Sequence, residues 1–446
     1  MFHINAKNTH NITLIASIDK DQDVWKIVKE KNKIVFYLPS EINLPELGKK
    51  LVQYFRKLNE PINIDVDSFI KHYNPQWQCS MLLTLFSNNE AVFDIPFSQK
   101  TKEQKFLINN FMISKSFSNV ILKEALTIIE AEKFARKYEW MPANLCTGDR
   151  WEKEIISKFR EFKNDVKINV LDKSQLIKKK MELILGVGKA SPKENWPRLI
   201  TLEYNNKPSA KRIAFVGKGI LFDTGGVSLK TPPAKMQRMH SDMTGAAVVL
   251  GTILALVKMK AKVNVVGVLA IARNDVGSEA YVVQDILKSY EGTTVEIVNT
   301  DSEGRLVLAD GIAYAWKDLK AKTILTIGTL SGGTIYALGQ TYTPIWTTNG
   351  NDWKIMQKAA QYAGEFVWPM PFNDEYRQEL YTSKMADISN TNLNMVASGC
   401  VSAEFMKTFI GPTDYIHCDI VGSVEYTNTP IPTLLKTLVY FAKEYK

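Results

Sequence analysis

The hydrophobic pattern changes period several times in the first third of the 446-residue chain. Residues 11–18 (NITLIASI) and 34–38 (IVFYL) are short apolar runs rich in β-branched and aromatic side chains, and they predict strands. Between 47 and 58 (LGKKLVQYFRKL), the spacing of Leu47, Leu51, Val52, Phe55 and Leu58 instead gathers apolar side chains on one face of a helix. Residues 62–69 and 91–97 return to strand character. This βαβ rhythm predicts a small N-terminal α/β domain over residues 1–118.

A long amphipathic segment follows at 120–140, with Ile121, Ala125, Ile128, Ile129 and Ala135 on one face and Glu132 interrupting it. Pro142 breaks the pattern and 149–162 predicts a second helix, so 119–165 reads as a helical linker. From 166 to 446 the character shifts. Residues 213–216 (IAFV), 263–271 (VNVVGVLAI), 295–298 (VEIV) and 324–327 (ILTI) are near-continuous apolar runs, with helical stretches at 246–258 and 306–316 between them. Such runs predict buried parallel strands. The expected fold is a two-domain α/β protein, its larger C-terminal domain a sandwich around a mixed, mainly parallel sheet with ligands at the carboxyl ends of strands.

Composition adds limits. With 45% hydrophobic and 23% charged residues the chain has ample material for large cores. The net charge of +9 is modest, and the lysines at 178–180 and at 26, 29, 31 and 33 read as solvated faces with few interleaved aromatics, which argues against nucleic-acid binding. The four cysteines (79, 146, 400, 418) show no CxxC pair and read as buried structural residues. None of the histidines at 3, 10, 72, 240 and 417 forms HExxH, and no GxSxG elbow exists. His240 reads as solvent-facing and His417 as semi-buried and satisfied. The first residues, MFHINAKNTHNITLIASI, lack a basic region followed by an apolar run, and the apolar run 246–257 falls short of the roughly 20 residues that span a bilayer. A cytoplasmic protein without a membrane partner is expected.

Two turns are loaded with chemistry. Residues 216–230 (VGKGILFDTGGVSLK) carry Lys218, Asp223 and Lys230 among glycines, and Asp242 follows within 239–247 (MHSDMTGAA). Residues 299–306 (NTDSEGRL) bring Asp301 and Glu303 after the run 295–298, with Arg305 opening the next helix. Four carboxylates at one end of neighbouring strands would repel unless cations neutralise them. Two divalent ions a few ångströms apart would do so and would activate a bridging water. Plainer readings exist for each piece: Asp242 as a helix cap, Thr300 or Ser302 capping the next helix with Glu303 serving its dipole, Lys218 and Lys230 as surface lysines. Taken together those readings fare badly.

At this point NTDSEGRL at 299–306 resembles the NTDAEGRL signature of the leucine aminopeptidase family, the dinuclear-metal cytosol aminopeptidases. GKGILFDTGGVSLK, MHSDMTGAA, TLSGG at 329–333, MPANLCT at 141–147, ELILGVGKAS with PRLITLEY at 182–204, ADISN at 386–390 and HCDIVG at 417–422 are also similar, so the resemblance spans about 130–425. It implies metal ligands Lys218, Asp223, Asp242, Asp301 and Glu303, with Asp223 and Glu303 shared by two ions (Zn²⁺ or Mn²⁺, with Mg²⁺ or Co²⁺ as alternatives). It implies catalytic roles for Lys230, holding the developing oxyanion, and for Arg305, anchoring a bicarbonate base. Met239, Thr329, Leu330 and Gly332 would line the first substrate subsite. The implied reaction is removal of N-terminal residues, leucine-like ones preferred, from peptides with a free amine, in a homohexamer. Two departures stand out: one extra residue around 231–236, and Val282-Val283-Gln284 in place of Arg-Pro-Gly in the AYRPGD segment.

Two other readings have weaker support. A binding or regulatory protein on the same scaffold would be favoured by degraded ligands, yet all are present. A two-metal phosphoesterase would recruit histidines or a phosphate-gripping loop, and neither is found.

Overall fold

The structure is a computed structural model that describes residues 3–4, 12–19, 22–41, 43–55, 62–71, 78–89, 108–113, 118–232, 235–424 and 431–445. The chain separates into two compact units, one of residues 1–130 with 360–365 and one of 131–359 with 366–446. The division falls inside a long helix.

In the first unit six strands, β1 (His3–Ile4), β2 (Thr13–Ser17), β3 (Ile27–Glu30), β4 (Lys33–Tyr37), β5 (Ile62–Asp65) and β6 (Ile108–Met112), form a sheet of order β1-β6-β5-β2-β4-β3. All pairs are parallel except β3 with β4, whose two-residue connection allows a hairpin. Leu14, Phe36, Ile64 and Phe111 fill the core, and helix α1 (Leu44–Phe55) buries Leu44, Leu47 and Leu51. The strand expected over 62–69 stops early. Asp65 accepts a hydrogen bond from Ser68 N at 3.3 Å and thereby caps α2 (Val66–Ile70), which turns the rest of the apolar run into helix. Helix α3 (Gln78–Asn89) follows, and the strand expected at 91–97 lies outside the described residues.

Helix α4 (Asn119–Glu139) and helix α5 (Gly148–Phe159) occupy the segment read as a linker, with Thr147 capping α5 through Arg150 N. The second unit is built on an eight-stranded sheet. Its strands are β7 (Val166–Leu171), β8 (Arg198–Asn205), β9 (Ile213–Asp223), β10 (Asn264–Asn274), β13 (Thr323–Gly328), β14 (Thr343–Thr347), β15 (Val367–Met370) and β17 (Asp414–Asp419), in the order β15-β14-β17-β13-β9-β10-β8-β7. Four of the seven pairings are parallel, so the mixed, mainly parallel sheet is as expected. A separate three-stranded sheet joins β11 (Ile286–Lys288), β12 (Thr294–Glu296) and β16 (Ile388–Ser389). This corrects the expectation for 295–298: the run is not a strand of the main sheet, because β12 finds its partners in β11 and β16.

After the short helices α6 (Lys173–Lys179) and α7 (Glu182–Val187), two longer ones cover the sheet. Helix α8 (Thr244–Lys258) is buried from Thr244 to Val257, which explains its hydrophobicity on every side. The stretch Met239–Lys258 is long and apolar enough to cross a membrane, but 94% of it is buried as a core helix. Helix α9 (Gly304–Lys317) buries Gly304 to Ala315. Close approach is bought with glycine: a Cβ on Gly217 of β9 would lie 2.5 Å from the Gly245 carbonyl of α8.

Not every buried charge in this unit has a partner. Glu139, at the end of α4, is fully buried with neither carboxylate oxygen hydrogen-bonded, and burial pushes its pKa up to about 8, opposed by Arg136 and reinforced by Glu132. A carboxyl with a raised folded pKa binds more protons folded than unfolded, so stability falls as pH rises from the ordinary carboxylate range toward about 8. Glu139→Gln is therefore expected to raise the midpoint of thermal unfolding at alkaline pH while changing it little near pH 5, measured by calorimetry across the pH range.

Candidate metal centre

Lys218 is not in a turn. It lies within β9, opposite Ala270 of β10, and is buried. The ends of β13 and α9 close around its stem: a Cβ on Gly328 would sit 2.8 Å from Lys218 Cβ, and one on Gly304 would sit 2.5 Å from Lys218 Cε. The ammonium then donates to Thr329 O at 2.7 Å and pairs with Asp242 Oδ1 at 2.8 Å and Glu303 Oε1 at 2.9 Å. Burial opposes its charge, but the three carboxylates around it raise its pKa above the usual lysine value.

Asp223 ends β9, and the chain turns away through Gly225 and Gly226 at φ +88° and +64°. Both residues are in the left-handed region that glycine tolerates, and a Cβ on Gly226 would meet Thr300 Oγ1 at 2.8 Å. The turn brings Lys230 back, so that its Nζ lies 2.8 Å from Asp223 Oδ2 and 2.5 Å from Asp301 Oδ1. Asp301 and Glu303 arrive from the loop after β12, where Asp301 N is held by Asn299 Oδ1 at 2.8 Å. Carboxylate oxygens of Asp223, Asp301 and Glu303 lie within 4.8 Å of one another. Asp242 joins them through Lys218.

The plainer readings fail on geometry. Asp242 does not cap α8: its Oδ1 accepts from Thr329 Oγ1 at 2.6 Å, while the N-cap position of α8 is Met243. Thr300 does not cap α9 either, because its hydroxyl donates to Gly225 O at 2.6 Å. The N-cap of α9 is Glu303, which makes no capping hydrogen bond and points its carboxylate at Lys218. Neither lysine is a surface residue.

The donor set fits cations. Four carboxylates face two ammonium groups, an excess of negative charge, and Asp242 Oδ2 is buried with no hydrogen-bond partner. Burial and the neighbouring carboxylates push the Asp242 carboxyl up to about 8 and that of Asp301 to about 7, whereas the two lysines hold Asp223 low. A cation among these groups would relieve the repulsion and favour the neutral amine on Lys218.

Arg305 is buried beside the cluster, donating to Asn390 O at 3.0 Å and held electrostatically by Glu303 and Asp419, although burial lowers its pKa to about 10. Of the residues expected to line a substrate subsite, Thr329 spends both its hydroxyl and its carbonyl on Asp242 and Lys218. Leu330 N donates to Asp419, Met239 opens a 3₁₀ turn and is half-buried, and Gly332 is exposed. In the departing 282–284 segment, Gln284 takes φ +76° where the family's motif has glycine, and Val282 and Val283 are exposed.

His417 differs from its semi-buried expectation. It is wholly buried, stacks on Trp346 with ring centroids 5.3 Å apart, and has its pKa lowered to about 3 by burial. Cys146, Cys400 and Cys418 are buried and Cys79 is partly so, all free. His240 is half-buried rather than solvent-facing. Sequence reading overlooked Asn274, Thr300 as a clamp, and Asp419, which accepts from Leu330 N at 3.1 Å and Ser331 N at 2.9 Å. Thr300 lies inside the loaded turn 299–306 and Asp419 inside the similar segment 417–422, whereas Asn274 is far from both turns along the chain.

A charged cluster of this kind, at the strand ends of a mixed α/β sheet, is one that could hold a metal ion. Residues 133–435 match the cytosol aminopeptidase family, catalytic domain, and the chain belongs to that family; it is an aminopeptidase, a hydrolase of peptides. Among its relatives is the probable cytosol aminopeptidase of Mycoplasma genitalium, 38% identical over 431 residues that cover 96% of this chain and 95% of that protein. The probable cytosol aminopeptidase of Mycoplasma pneumoniae is 37% identical and covers 93% of each chain. A leucyl aminopeptidase structure from Trypanosoma cruzi superposes with a TM-score of 0.84 over 98% of this chain and 93% of that one, at 22% identity, which supports the fold.

Gly304→Ala tests the packing around Lys218. The added methyl is expected to push the ammonium off Asp242 and Glu303, cutting peptide hydrolysis by orders of magnitude and costing about 1–3 kcal/mol of stability, read by turnover and by denaturant unfolding.

Proposed function

We propose that the chain is a metal-dependent aminopeptidase that removes N-terminal residues, leucine-like ones preferred, from peptides. The observation that carries this reading is the convergence of Asp223, Asp301 and Glu303 within 4.8 Å beside buried Lys218 and half-buried Lys230. Lys218, Asp223, Asp242, Asp301 and Glu303 would hold two cations, with Asp223 and Glu303 assigned to both. When bound, the pair supplies Lewis acidity that polarises the scissile carbonyl and makes a shared water acidic near neutral pH. An oxygen-rich set with one amine suits Zn²⁺ or Mn²⁺, and Mg²⁺ or Co²⁺ also fit.

The chain's own groups divide the remaining work. Lys230 is held charged by Asp223 and Asp301, and its ammonium would meet the carbonyl oxygen as negative charge develops there. Arg305, steered by Asn390 O, would hold a bicarbonate, which would supply the base for this chemistry. That assignment suits a centre whose buried His417 is turned toward Thr326 and Trp346 instead. Met239, Thr329, Leu330 and Gly332 would border the substrate's first side chain. Homohexameric assembly and a cytoplasmic location follow from the resemblance and belong to the same proposal.

The test is hydrolysis of a leucyl anilide by protein treated with chelator and then given Mn²⁺ or Zn²⁺. Chelation is expected to abolish cleavage and either ion to restore it, while an acetylated amine blocks it throughout. Cleavage that survives chelation, or that ignores the acetyl group, would overturn the reading. Asp301→Ala and Glu303→Ala are each expected to lower turnover by at least about a thousand-fold, as for loss of a catalytic metal ligand, with the circular dichroism spectrum retained. Activity near the unsubstituted level in either variant would remove that residue from the site.

A further inference from the structure

Asn274 stands at the end of β10 where the ladder with β9 slips. Ala272 pairs with Ile220, yet Asn274 pairs with Asp223, so two steps on β10 match three on β9. A bulge of this kind re-aims the side chains beyond it. Asn274 is fully buried, and its amide nitrogen donates twice, to Asp223 Oδ1 at 2.8 Å and to Thr300 O at 3.0 Å. The reversed amide would face its oxygen against two acceptors, so this orientation is forced. It leaves Asn274 Oδ1 with no hydrogen-bond partner, a cost accepted to keep both donations.

The two acceptors belong to the two loops that carry the carboxylates. With Asn274 Nδ2 and Gly225 N both on Asp223 Oδ1, Oδ2 is left to face Lys230. Thr300 immediately precedes Asp301, and its carbonyl is gripped a second time by Tyr281 OH at 2.8 Å. We propose that Asn274 is a positioning residue whose amide clamps the end of β9 to the 300–301 backbone, so that Asp223 and Asp301 offer their oxygens to one cation site. The inference rests on the reading that this cluster binds cations. The Asn274 side chain acts through Asp223 and Thr300, and it suits the role because an uncharged amide supplies two donors where an ionised acid of the same shape supplies none.

The experiment uses full-length protein stripped of metal and titrated with Mn²⁺, with uptake read by equilibrium dialysis and ion pairing by electron paramagnetic resonance. Asn274→Asp is expected to bind at least one Mn²⁺ about ten- to a hundred-fold more weakly. The spin-coupled signal of a close manganese pair should weaken, and kcat should fall more than KM changes. Should that variant fail to fold, Asn274→Ser, which lacks the acceptor clash, carries the same expectation. Unaltered Mn²⁺ affinity and coupling in a folded variant, with only the melting temperature lowered, would overturn the positioning role while the function stands. Unsubstituted protein that takes up no Mn²⁺ would overturn both.

Discussion

Two lysine ammonium groups, buried Lys218 and half-buried Lys230, hold the centre of the C-terminal unit together by pairing with four carboxylates, and the surrounding backbone is arranged to keep them there. Burial by itself would drive Lys218 toward its neutral form, but three carboxylates outweigh that penalty. The carboxylates divide in turn. Asp223, paired with Lys230, held by two N–H donors and feeling the charge of Lys218, is kept ionised, while Asp242 and Asp301 sit in surroundings that favour the proton. Removing either lysine would leave carboxylates buried without compensation, and such charges are expensive in a protein interior.

Close packing serves that electrostatics. Glycines at 217 and 245 let α8 rest on β9, and those at 304 and 328 open the passage through which Lys218 reaches its partners. Asp419, at the end of β17, fixes the backbone of Leu330 and Ser331, which neighbour the threonine bonded to Asp242. The centre is thus assembled from β9, the turn before α8, the loop after β12 and the end of β13, none of which could supply it alone. Relatives such as the Mycoplasma genitalium protein align across nearly the whole chain, so this assembly belongs to an architecture shared end to end.

Much of the site was legible in short segments because its donors come in local groups. Lys218, Asp223 and Lys230 share one glycine-rich segment of fifteen residues, 216–230, and Asp301, Glu303 and Arg305 share eight residues. Helices α4, α8 and α9 and strands β9, β10 and β13 were legible too, since each carries an apolar pattern of one clear period, broken only by Glu132 in α4. Short elements were not. The run at 62–69 splits at Asp65, a capping residue that interrupts a pattern hydrophobicity alone would continue.

The sequence by itself determined which residue types could bind cations and that a mixed α/β sheet would carry them, because local spacing encodes both period and turn chemistry. Only the tertiary structure decided how they meet. It moved 295–298 out of the main sheet, since β12 pairs with its neighbour β11 and with β16, about 90 residues further along the chain. It put Lys218 inside a strand and gave Asn274 its hold on Asp223 through a bulge, a register choice made between strands some 50 residues apart. It also denied Asp242 its helix cap, because the carboxylate gains more from Lys218 and Thr329 than from an N–H at the start of α8. Hydrogen-bond partners far apart along the chain settled each of these outcomes, and no local pattern records them.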